Sequence, residues 1–287
     1  MELLTIIKAI ILGIVEGLTE FAPVSSTGHM IIVDDMWLKS QEFLGKYTAN
    51  TFKVVIQLGS ILAVVIIFRN RFIDLLGLNR FSRKQMNVEV EGQPSVEGKG
   101  RLKLAQVIVG LLPAGVLGLL FEDYIDENLF STSTVLIGLV IGALFMIAAD
   151  LFAPKEVKVQ SVDQITYRQA LTVGFIQCFS LWPGFSRSGS TISGGVLLGM
   201  SHRAAADFTF IMAVPIMAGA SLISLVKNWQ YFTIEALPFF VAGFISAFLF
   251  ALLSMRFFLK LINKIKLLPF AIYRIVLAGV LYVVIFV

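Results

Sequence analysis

The sequence predicts an all-α polytopic membrane protein, with six transmembrane helices and two re-entrant helical hairpins arranged as an inverted repeat. Of its 287 residues, 57% are apolar and only 15% are charged, whereas about 25% of an ordinary soluble domain is charged. This composition excludes a water-soluble globule, and its 25 phenylalanines exclude a disordered chain. The apolar runs are much longer than the roughly 10 residues of a membrane-spanning strand, so we expect helices. The single cysteine excludes an intrachain disulfide and a cysteine-based zinc site.

Six apolar stretches have the length that a membrane-crossing helix requires, roughly 17–25 residues. None of them is interrupted by a cluster of charged residues. The six predicted spans cover residues 52–68, 104–121, 135–153, 207–226, 236–255 and 270–287.

The charges of the loops give the orientation, because cytoplasmic loops carry an excess of Lys and Arg. Loops 69–103 and 256–266 are basic and are expected in the cytoplasm, whereas loop 122–134 has acidic residues and no Lys or Arg and is expected outside. Segment 154–168 then falls inside and segment 227–235 outside.

Two further apolar stretches, about 1–33 and 169–200, are broken by Gly, Pro and Ser and do not resemble simple spans. The second leaves the cytoplasm and must return to it, so it is predicted to be a re-entrant hairpin. The region 1–51 is predicted to be its mirror image, entering from outside. The ionisable residues within the broken stretches include Glu16, Glu20, His29 and Arg187.

An internal repeat supports this arrangement. The segment GIVEGLTEFAPVSSTGHM at 13–30 aligns with GFIQCFSLWPGFSRSGST at 174–191 at a constant offset of 161, and Gly13, Phe21, Ser25 and Gly28 meet Gly174, Trp182, Ser186 and Gly189. The repeats cover about 1–155 and 156–287 of a single membrane domain. Each would hold one hairpin and three crossings, and an odd number of crossings inverts the second repeat, as in transporter folds. The sequence therefore predicts a site between the two hairpins, because irregular backbone at membrane depth must be buried in protein or line a polar cavity.

The first hairpin carries acidic and hydroxyl groups. Glu16 and Glu20 are four residues apart and share one helix face, and intramembrane carboxylates are candidates for function. Pro23 ends the first helix and the Ser/Thr run after it can cap a second helix, which creates an anion site with His29 as a potential acid or base. The alternatives are that the carboxylates lie at the water interface and that the histidine is structural.

The second hairpin carries a cation in the corresponding place. Arg187 has a planar guanidinium suited to bidentate phosphate binding, and Ser186, Ser188 and Thr191 add hydroxyl donors. The alternative is a Gly/Ser helix-packing segment whose arginine pairs with one of the glutamates.

The chain resembles a known family in these two segments and beyond them. GIVEGLTEFAPVSSTGHM and LWPGFSRSGSTISGG resemble the two signatures of the bacterial undecaprenyl-diphosphatase family, the bacitracin-resistance proteins. QLGSILAVV at 57–65, GRLKLAQVIVGLLPAGVLGLLF at 100–121 and PFAIYR at 269–274 are also similar to that family. The resemblance implies removal of the terminal phosphate of undecaprenyl diphosphate, which recycles the lipid carrier of cell-wall synthesis, and residence in the bacterial inner membrane with the site opening to the periplasmic side. The implied site is Glu16, Glu20, Ser26, His29, Arg187 and Thr191, with Ser25, Ser186 and Ser188 nearby.

Two chemical routes remain open for such a reaction. Ser26 could attack the terminal phosphorus while His29 or Glu20 takes its proton, or a glutamate-activated water could attack directly while Ser26 only binds. Arg187 would hold the transferring phosphoryl group. The residues expected to bind the phosphates are Ser25, Thr27, Ser186, Ser188 and Thr191.

Glu16 and Glu20 could also hold a divalent cation, Mg²⁺ or Ca²⁺, because two carboxylates beside a diphosphate would otherwise repel it. No organic cofactor and no nucleic acid is expected; the expected partners are a polyprenyl diphosphate and membrane lipid. The oligomeric state is left open, a homo-oligomer included. The alternative function is a transporter that flips polyprenyl phosphate between leaflets.

Overall fold

The computed structural model describes residues 3–78, 101–129, 131–231 and 234–286, so the larger part of the predicted basic loop 69–103 lies outside the described residues. These residues are predominantly helical, and the only β-type pairing among them is one isolated bridge between Val159 and Met200. The helices are α1 Leu3–Thr19, α2 Ser26–Met30, α3 Ser40–Leu44, α4 Lys46–Ile67, α5 Arg69–Leu75, α6 Leu104–Leu120, α7 Glu122–Asn128, α8 Thr132–Phe152, α9 Tyr167–Gln177, α10 Arg187–Leu197, α11 His202–Lys227, α12 Leu237–Ile265 and α13 Leu268–Phe286.

Within the described part of the chain, five helices are long and apolar enough to cross a membrane, namely α4, α8, α11, α12 and α13. They cover five of the six predicted spans, which makes the chain a multi-pass membrane protein. The remaining predicted span, 104–121, is the apolar helix α6, and its 17 residues fall just short of the length of the others. The crossing of the membrane by α6 therefore stays a prediction.

The end of α12 differs from the prediction. The span was expected to end at 255, with a cytoplasmic loop from 256 to 266, but the helix continues to Ile265. Arg256, Lys260 and Lys264 are spaced four residues apart in this extension. Basic side chains at such spacing lie along one helix face and can reach the membrane surface, so the positive charge does not end the helix.

Close helix packing positions the two broken segments. A Cβ atom at Gly13 of α1 would collide with the carbonyl oxygen of Gly243 in α12. In the same way, a Cβ atom at Gly174 of α9 would collide with the carbonyl oxygen of Gly110 in α6. Small residues allow helix backbones to approach this closely in membranes. The first helix of each broken segment is thus held against a long apolar helix that is distant in sequence.

The turn that follows α1 is fixed by aromatic packing. Phe21 is fully buried, and its ring meets that of Phe210 in α11 edge to face, with a centroid distance of 5.4 Å. Such aromatic pairs add roughly 0.5–1.5 kcal/mol beyond the area that they bury. The turn therefore has a defined position in the interior of the molecule.

Candidate active site

The two broken segments have the same local design. After α1 the chain turns and α2 begins at Ser26, leading directly into a π-helical segment, Ile31–Leu38. After α9 the chain passes through a 3₁₀ turn, Cys178–Leu181, and α10 begins at Arg187. The predicted breaks around Pro23 and Pro183 are thus confirmed, although α1 already ends at Thr19.

A serine caps the second helix of each segment. The Ser25 hydroxyl accepts a hydrogen bond from the backbone N–H of Gly28 at 3.4 Å, and the Ser186 hydroxyl accepts one from Gly189 at 3.2 Å. Both serines have a positive φ, 71° and 74°. A side chain in such a backbone conformation costs on the order of 1–3 kcal/mol, and this strain is typical of functional sites. The two turns therefore share a conformation as well as a sequence pattern, while the internal repeat itself stays a prediction.

Glu20 joins the two turns. Its Oε2 accepts a hydrogen bond from the Ser26 hydroxyl at 2.7 Å, and its Oε1 accepts one from Arg187 Nη2 at 3.1 Å. Only 8% of the Glu20 side chain and 15% of the Arg187 side chain are exposed. Buried, charge-assisted hydrogen bonds of this kind are stronger than neutral ones. Residues 161 apart in the sequence thus bind one carboxylate, which brings the predicted nucleophile and the predicted phosphate-binding cation together.

The hydroxyls of the second turn fall into two groups. The Ser188 hydroxyl lies 3.1 Å from the carbonyl oxygen of Ala22, to which it donates, and 3.2 Å from the Ser186 hydroxyl. It therefore links the second turn to the first. The Thr191 hydroxyl donates to the carbonyl oxygen of Arg187 at 2.8 Å and accepts from Thr209 at 2.8 Å. Thr191 thus fixes α10 against α11 instead of presenting a free donor.

A cavity of about 270 Å³ opens between the two turns. Its polar wall contains residues of both turns, and α4, α6 and α11 complete the lining. The predicted site residues in the wall are Glu20, Ser25, Ser26, Thr27, Ser186 and Arg187.

Glu16 lies one turn before Glu20 and is 5% exposed. Its carboxylate interacts electrostatically with Glu20 and Arg187, and its Oε1 has no hydrogen-bond partner among the described residues. A buried oxygen without a partner is costly, so it marks a place for a water, a proton or a cation. No cluster of three or more His, Cys, Asp or Glu residues that could hold a metal occurs in the described ranges. A cation bound by Glu16 and Glu20 would therefore need further oxygen ligands from substrate or water.

Both ring nitrogens of His29 contact groups other than the carboxylates. Its Nδ1 lies 2.8 Å from the carbonyl oxygen of Ser25, and its Nε2 lies 2.7 Å from the hydroxyl of Tyr273. The two rings are stacked, with a centroid distance of 5.6 Å. Because Nδ1 must donate to the carbonyl, Nε2 of the neutral ring accepts from the tyrosine. The histidine therefore holds the strained serine of the first turn against α13.

Three polar residues of the cavity wall are missing from the sequence-based prediction. Gln57 reaches the cavity from α4, Gln177 from the end of α9, and Ser180 from the 3₁₀ turn. Gln177 was detectable, because the offset of 161 pairs it with Glu16 and it is a polar residue in an apolar stretch. Gln57 could have been found as one of the few polar residues inside the predicted span 52–68.

Arg274 is a further buried cation that the prediction did not assign. Its side chain is completely buried, and Nη2 donates to the carbonyl oxygens of Gly184 at 2.8 Å and Gly138 at 3.2 Å. A Cβ atom at Gly142 would collide with its guanidinium, so α8 needs a glycine there. Arg274 thus fixes the turn that precedes Ser186 without itself lining the cavity.

Comparison with known proteins identifies the family of the chain. A family model described as "Bacitracin resistance protein BacA" matches residues 9–280. A protein of Geobacillus sp. (strain WCH70) named undecaprenyl-diphosphatase is 78% identical over 286 residues, covering 100% of both chains. Proteins with the same name from Bacillus subtilis (strain 168) and Staphylococcus haemolyticus (strain JCSC1435) are 60% and 55% identical, covering 99% and 100% of this chain and 99% and 97% of their own. The chain therefore belongs to the bacitracin resistance protein BacA family.

Proposed function

We propose that this chain is an undecaprenyl-diphosphatase, an enzyme that hydrolyses undecaprenyl diphosphate to undecaprenyl phosphate and inorganic phosphate. The relatives with this name are 55–78% identical over essentially the whole chain. The observation that carries the proposal is the contact of Ser26 and Arg187 with one buried carboxylate at the wall of a cavity. The reaction returns the lipid carrier to cell-wall synthesis, which accounts for the bacitracin resistance in the family's name.

In the proposed mechanism, the guanidinium of Arg187 holds the terminal phosphate. The hydroxyl of Ser186 and the N-terminus of α10 add a hydrogen-bond donor and a partial positive charge, whereas Ser188 holds the second turn against the first through the carbonyl oxygen of Ala22. Neutralising the phosphoryl oxygens in a largely dry site provides most of the catalysis in phosphoryl transfer. Arg187 must exchange part of its contact with Glu20 for the phosphate, and this exchange frees the carboxylate to act as a base.

The proposed nucleophile is Ser26. Its Oγ forms a bond to the terminal phosphorus while the phosphoanhydride bond breaks and undecaprenyl phosphate leaves. Glu20 takes the hydroxyl proton, because the Ser26–Glu20 hydrogen bond of 2.7 Å is already in place. Water then hydrolyses the phosphoserine and releases inorganic phosphate. His29 acts as a positioning residue, since its Nδ1 lies within hydrogen-bond distance of the Ser25 carbonyl oxygen and its Nε2 within hydrogen-bond distance of the Tyr273 hydroxyl.

A divalent cation, Mg²⁺ or Ca²⁺, fits the carboxylate pair of Glu16 and Glu20. The buried, unpartnered Oε1 of Glu16 supports this assignment. When bound, the cation would neutralise diphosphate oxygens.

For the membrane arrangement, we propose that α6 is the sixth crossing and that the α1–α2 and α9–α10 segments are re-entrant hairpins in an inverted repeat. In support, α9 and α10 have 11 residues each, about half of the roughly 20 that a crossing needs. The loop charges favour an inner-membrane orientation in which the cavity opens to the periplasmic side. The test replaces Cys178 with serine and introduces Glu127→Cys or Lys264→Cys. An impermeant thiol reagent applied to intact cells should label the first variant only, and labelling of the second would contradict the orientation.

The function is tested with the purified, detergent-solubilised chain. Wild-type protein should release inorganic phosphate from undecaprenyl diphosphate, and Ser26→Ala should not. The control is Ser254→Ala, which removes an exposed hydroxyl that donates to the carbonyl oxygen of Leu18 at 2.9 Å, outside the cavity wall. Absence of phosphate release from wild-type protein, or equal release from Ser26→Ala, would contradict the proposal.

A further inference from the structure

If the chain is the proposed phosphatase, the lipid chain of its substrate must lie somewhere, and the size of the cavity limits where. The cavity has a volume of about 270 Å³, just below the roughly 300–1,000 Å³ of ordinary small-molecule sites. It can take a diphosphate and the atoms next to it, but not a polyprenyl chain. The chain must therefore leave the cavity at a defined place.

The apolar side of the cavity gives the direction. Ala114 of α6 lies in the wall, and so do Ile216, Met217 and Ala220 of α11. Leu181, at the end of the 3₁₀ turn, adds a further apolar side chain to the wall. Most of the polar groups of the wall thus come from the two turns, with Gln57 and Gln177 added by α4 and α9, whereas α6 and α11 contribute apolar side chains.

The packing between α6 and α11 changes along their length. Near Gly110 the helices are close, since a Cβ atom there would lie 2.7 Å from Met212 Sδ. Further along the helices, a Cβ atom at Gly115 or Gly219 would have no heavy atom within 4 Å, so neither glycine packs against a neighbouring helix. These glycines adjoin the wall residues Ala114 and Ala220 in the sequence.

Beyond this stretch the two helices are connected again. Nζ of Lys227, the last residue of α11, lies 2.9 Å from Oε1 of Glu122, which follows α6 as the first residue of α7. This stretch of the two helices therefore lies between close helix packing at one end and an ion pair at the other. We call this stretch, which contains Ala114 and Gly115 of α6 and Gly219 and Ala220 of α11, the α6–α11 window.

We propose that the polyprenyl chain of the substrate leaves the cavity through the α6–α11 window and continues into the membrane. The window then sets specificity for the lipid, because the polar turns bind only the diphosphate. Its glycines keep the path open for the first isoprene units, whose burial against Ala114, Met217 and Ala220 adds apolar contact. The Lys227–Glu122 ion pair at the outer end of the window keeps the polyprenyl chain at membrane depth while the diphosphate reaches Arg187.

The test fills the window and compares two substrates. Gly115→Phe and Gly219→Phe add a ring to each helix at the proposed window, and Gly279→Phe in α13 is the matched control, because that glycine also has open space around an added Cβ. With undecaprenyl diphosphate, the two window variants should lose at least about tenfold in kcat/KM, while the control changes by less than about twofold. With isopentenyl diphosphate, which has no chain to pass through the window, all three should stay within about twofold of wild type.

The results of this test distinguish a failure of the proposed window from a failure of the proposed function. Equal losses on both substrates, or no loss on either, would overturn the window while the phosphatase remains active. Failure of wild-type protein to hydrolyse both diphosphates would overturn the proposed function and the window with it.

A crosslinking measurement does not depend on turnover. Gly219→Cys or Gly279→Cys is combined with Cys178→Ser, and the protein is treated with a polyprenyl phosphate that carries a thiol-reactive group on its first isoprene unit. Crosslinking at position 219 and not at 279 is expected. Crosslinking at 279 instead would overturn the window.

Discussion

The two turns of the site have nearly the same backbone but opposite chemistry. The capping serines, Ser25 and Ser186, share a positive φ and the same capping hydrogen bond. At the next position the first turn has the hydroxyl of Ser26 and the second has the guanidinium of Arg187. One backbone design thus presents a hydroxyl on one side and a guanidinium on the other, the groups proposed as nucleophile and phosphate-binding cation.

The helices before the turns differ in the same way. The first brings Glu16 into the interior, and the offset of 161 places Gln177, which is neutral, at the matching position. Two symmetric acidic turns would repel a diphosphate, and two symmetric basic turns would lack a base. In the proposed mechanism a complete site therefore requires both turns, and Glu20 is the group that contacts both of them.

The strongest test of this division is Ser26→Ala. If the first turn supplies the nucleophile, the variant should lose at least about 10³-fold in kcat, since loss of a true nucleophile is among the costliest changes to an enzyme. A brief incubation with substrate labelled in the terminal phosphate should also trap a phosphoenzyme in wild-type protein and none in the variant. Residual activity within about tenfold of wild type would favour attack by activated water.

The second turn is tested by Arg187→Ala, which should lower kcat by about 10²–10³-fold, because one guanidinium offsets the charge of the phosphoryl group. Arg187→Lys should recover little, since an ammonium cannot reproduce the planar fork. The matched control is Arg71→Ala, which also removes an arginine bound to a carboxylate, Asp163 at 2.7 Å, but outside the cavity. Near-normal turnover by Arg187→Ala with a normal melting temperature would remove this residue from the proposed site.

Much of the fold could be predicted from the sequence because membrane spans depend on length and apolarity alone. Among the described helices, five match predicted spans with sufficient length and apolarity. The predicted end of α12 was wrong, because a charge pattern that marks a loop also fits the end of a helix. The length of α6 leaves its crossing undecided.

The site was predictable only in part. Intramembrane charge singled out Glu20 and Arg187, and the structure joins them. The direction of a side chain does not follow from its position in a motif, so the contact of His29 with Tyr273 could not be foreseen. Arg274 carried the same signal inside the predicted span 270–287, but its partners, the carbonyl oxygens of α8 and of the second turn, could not be foreseen.

A smaller effect is expected from Glu16→Gln, which gives the first helix the group that the second already has in Gln177. If Glu16 and Glu20 hold a cation, losing one carboxylate should raise the Mg²⁺ or Ca²⁺ concentration needed for half-maximal activity by about 10–100-fold. The measurement is phosphate release against cation concentration after treatment with a chelator. Glu42→Gln, at an exposed ion pair with Lys39, serves as the control. An unchanged cation requirement would contradict the assignment.

The smallest effect concerns the shared backbone. Ser25→Gly and Ser186→Gly remove the strain of a side chain at positive φ. Glycine replaces the serine cap at a cost of a few tenths of a kcal/mol, and its greater conformational freedom stabilises the unfolded chain by about 0.5–1 kcal/mol. These changes offset one another, so both variants should stay within about 1 kcal/mol of wild-type stability. Ser25→Ala and Ser186→Ala lose the capping hydrogen bond but keep a side chain at positive φ, so each should be less stable than its glycine counterpart by roughly 1 kcal/mol. Unfolding of the detergent-solubilised variants can be followed by helix content, and the argument requires the two turns to respond alike. A difference of more than about 2 kcal/mol between the two glycine variants would mean that the matching φ values conceal unequal strain, and that the two turns are not energetically equivalent.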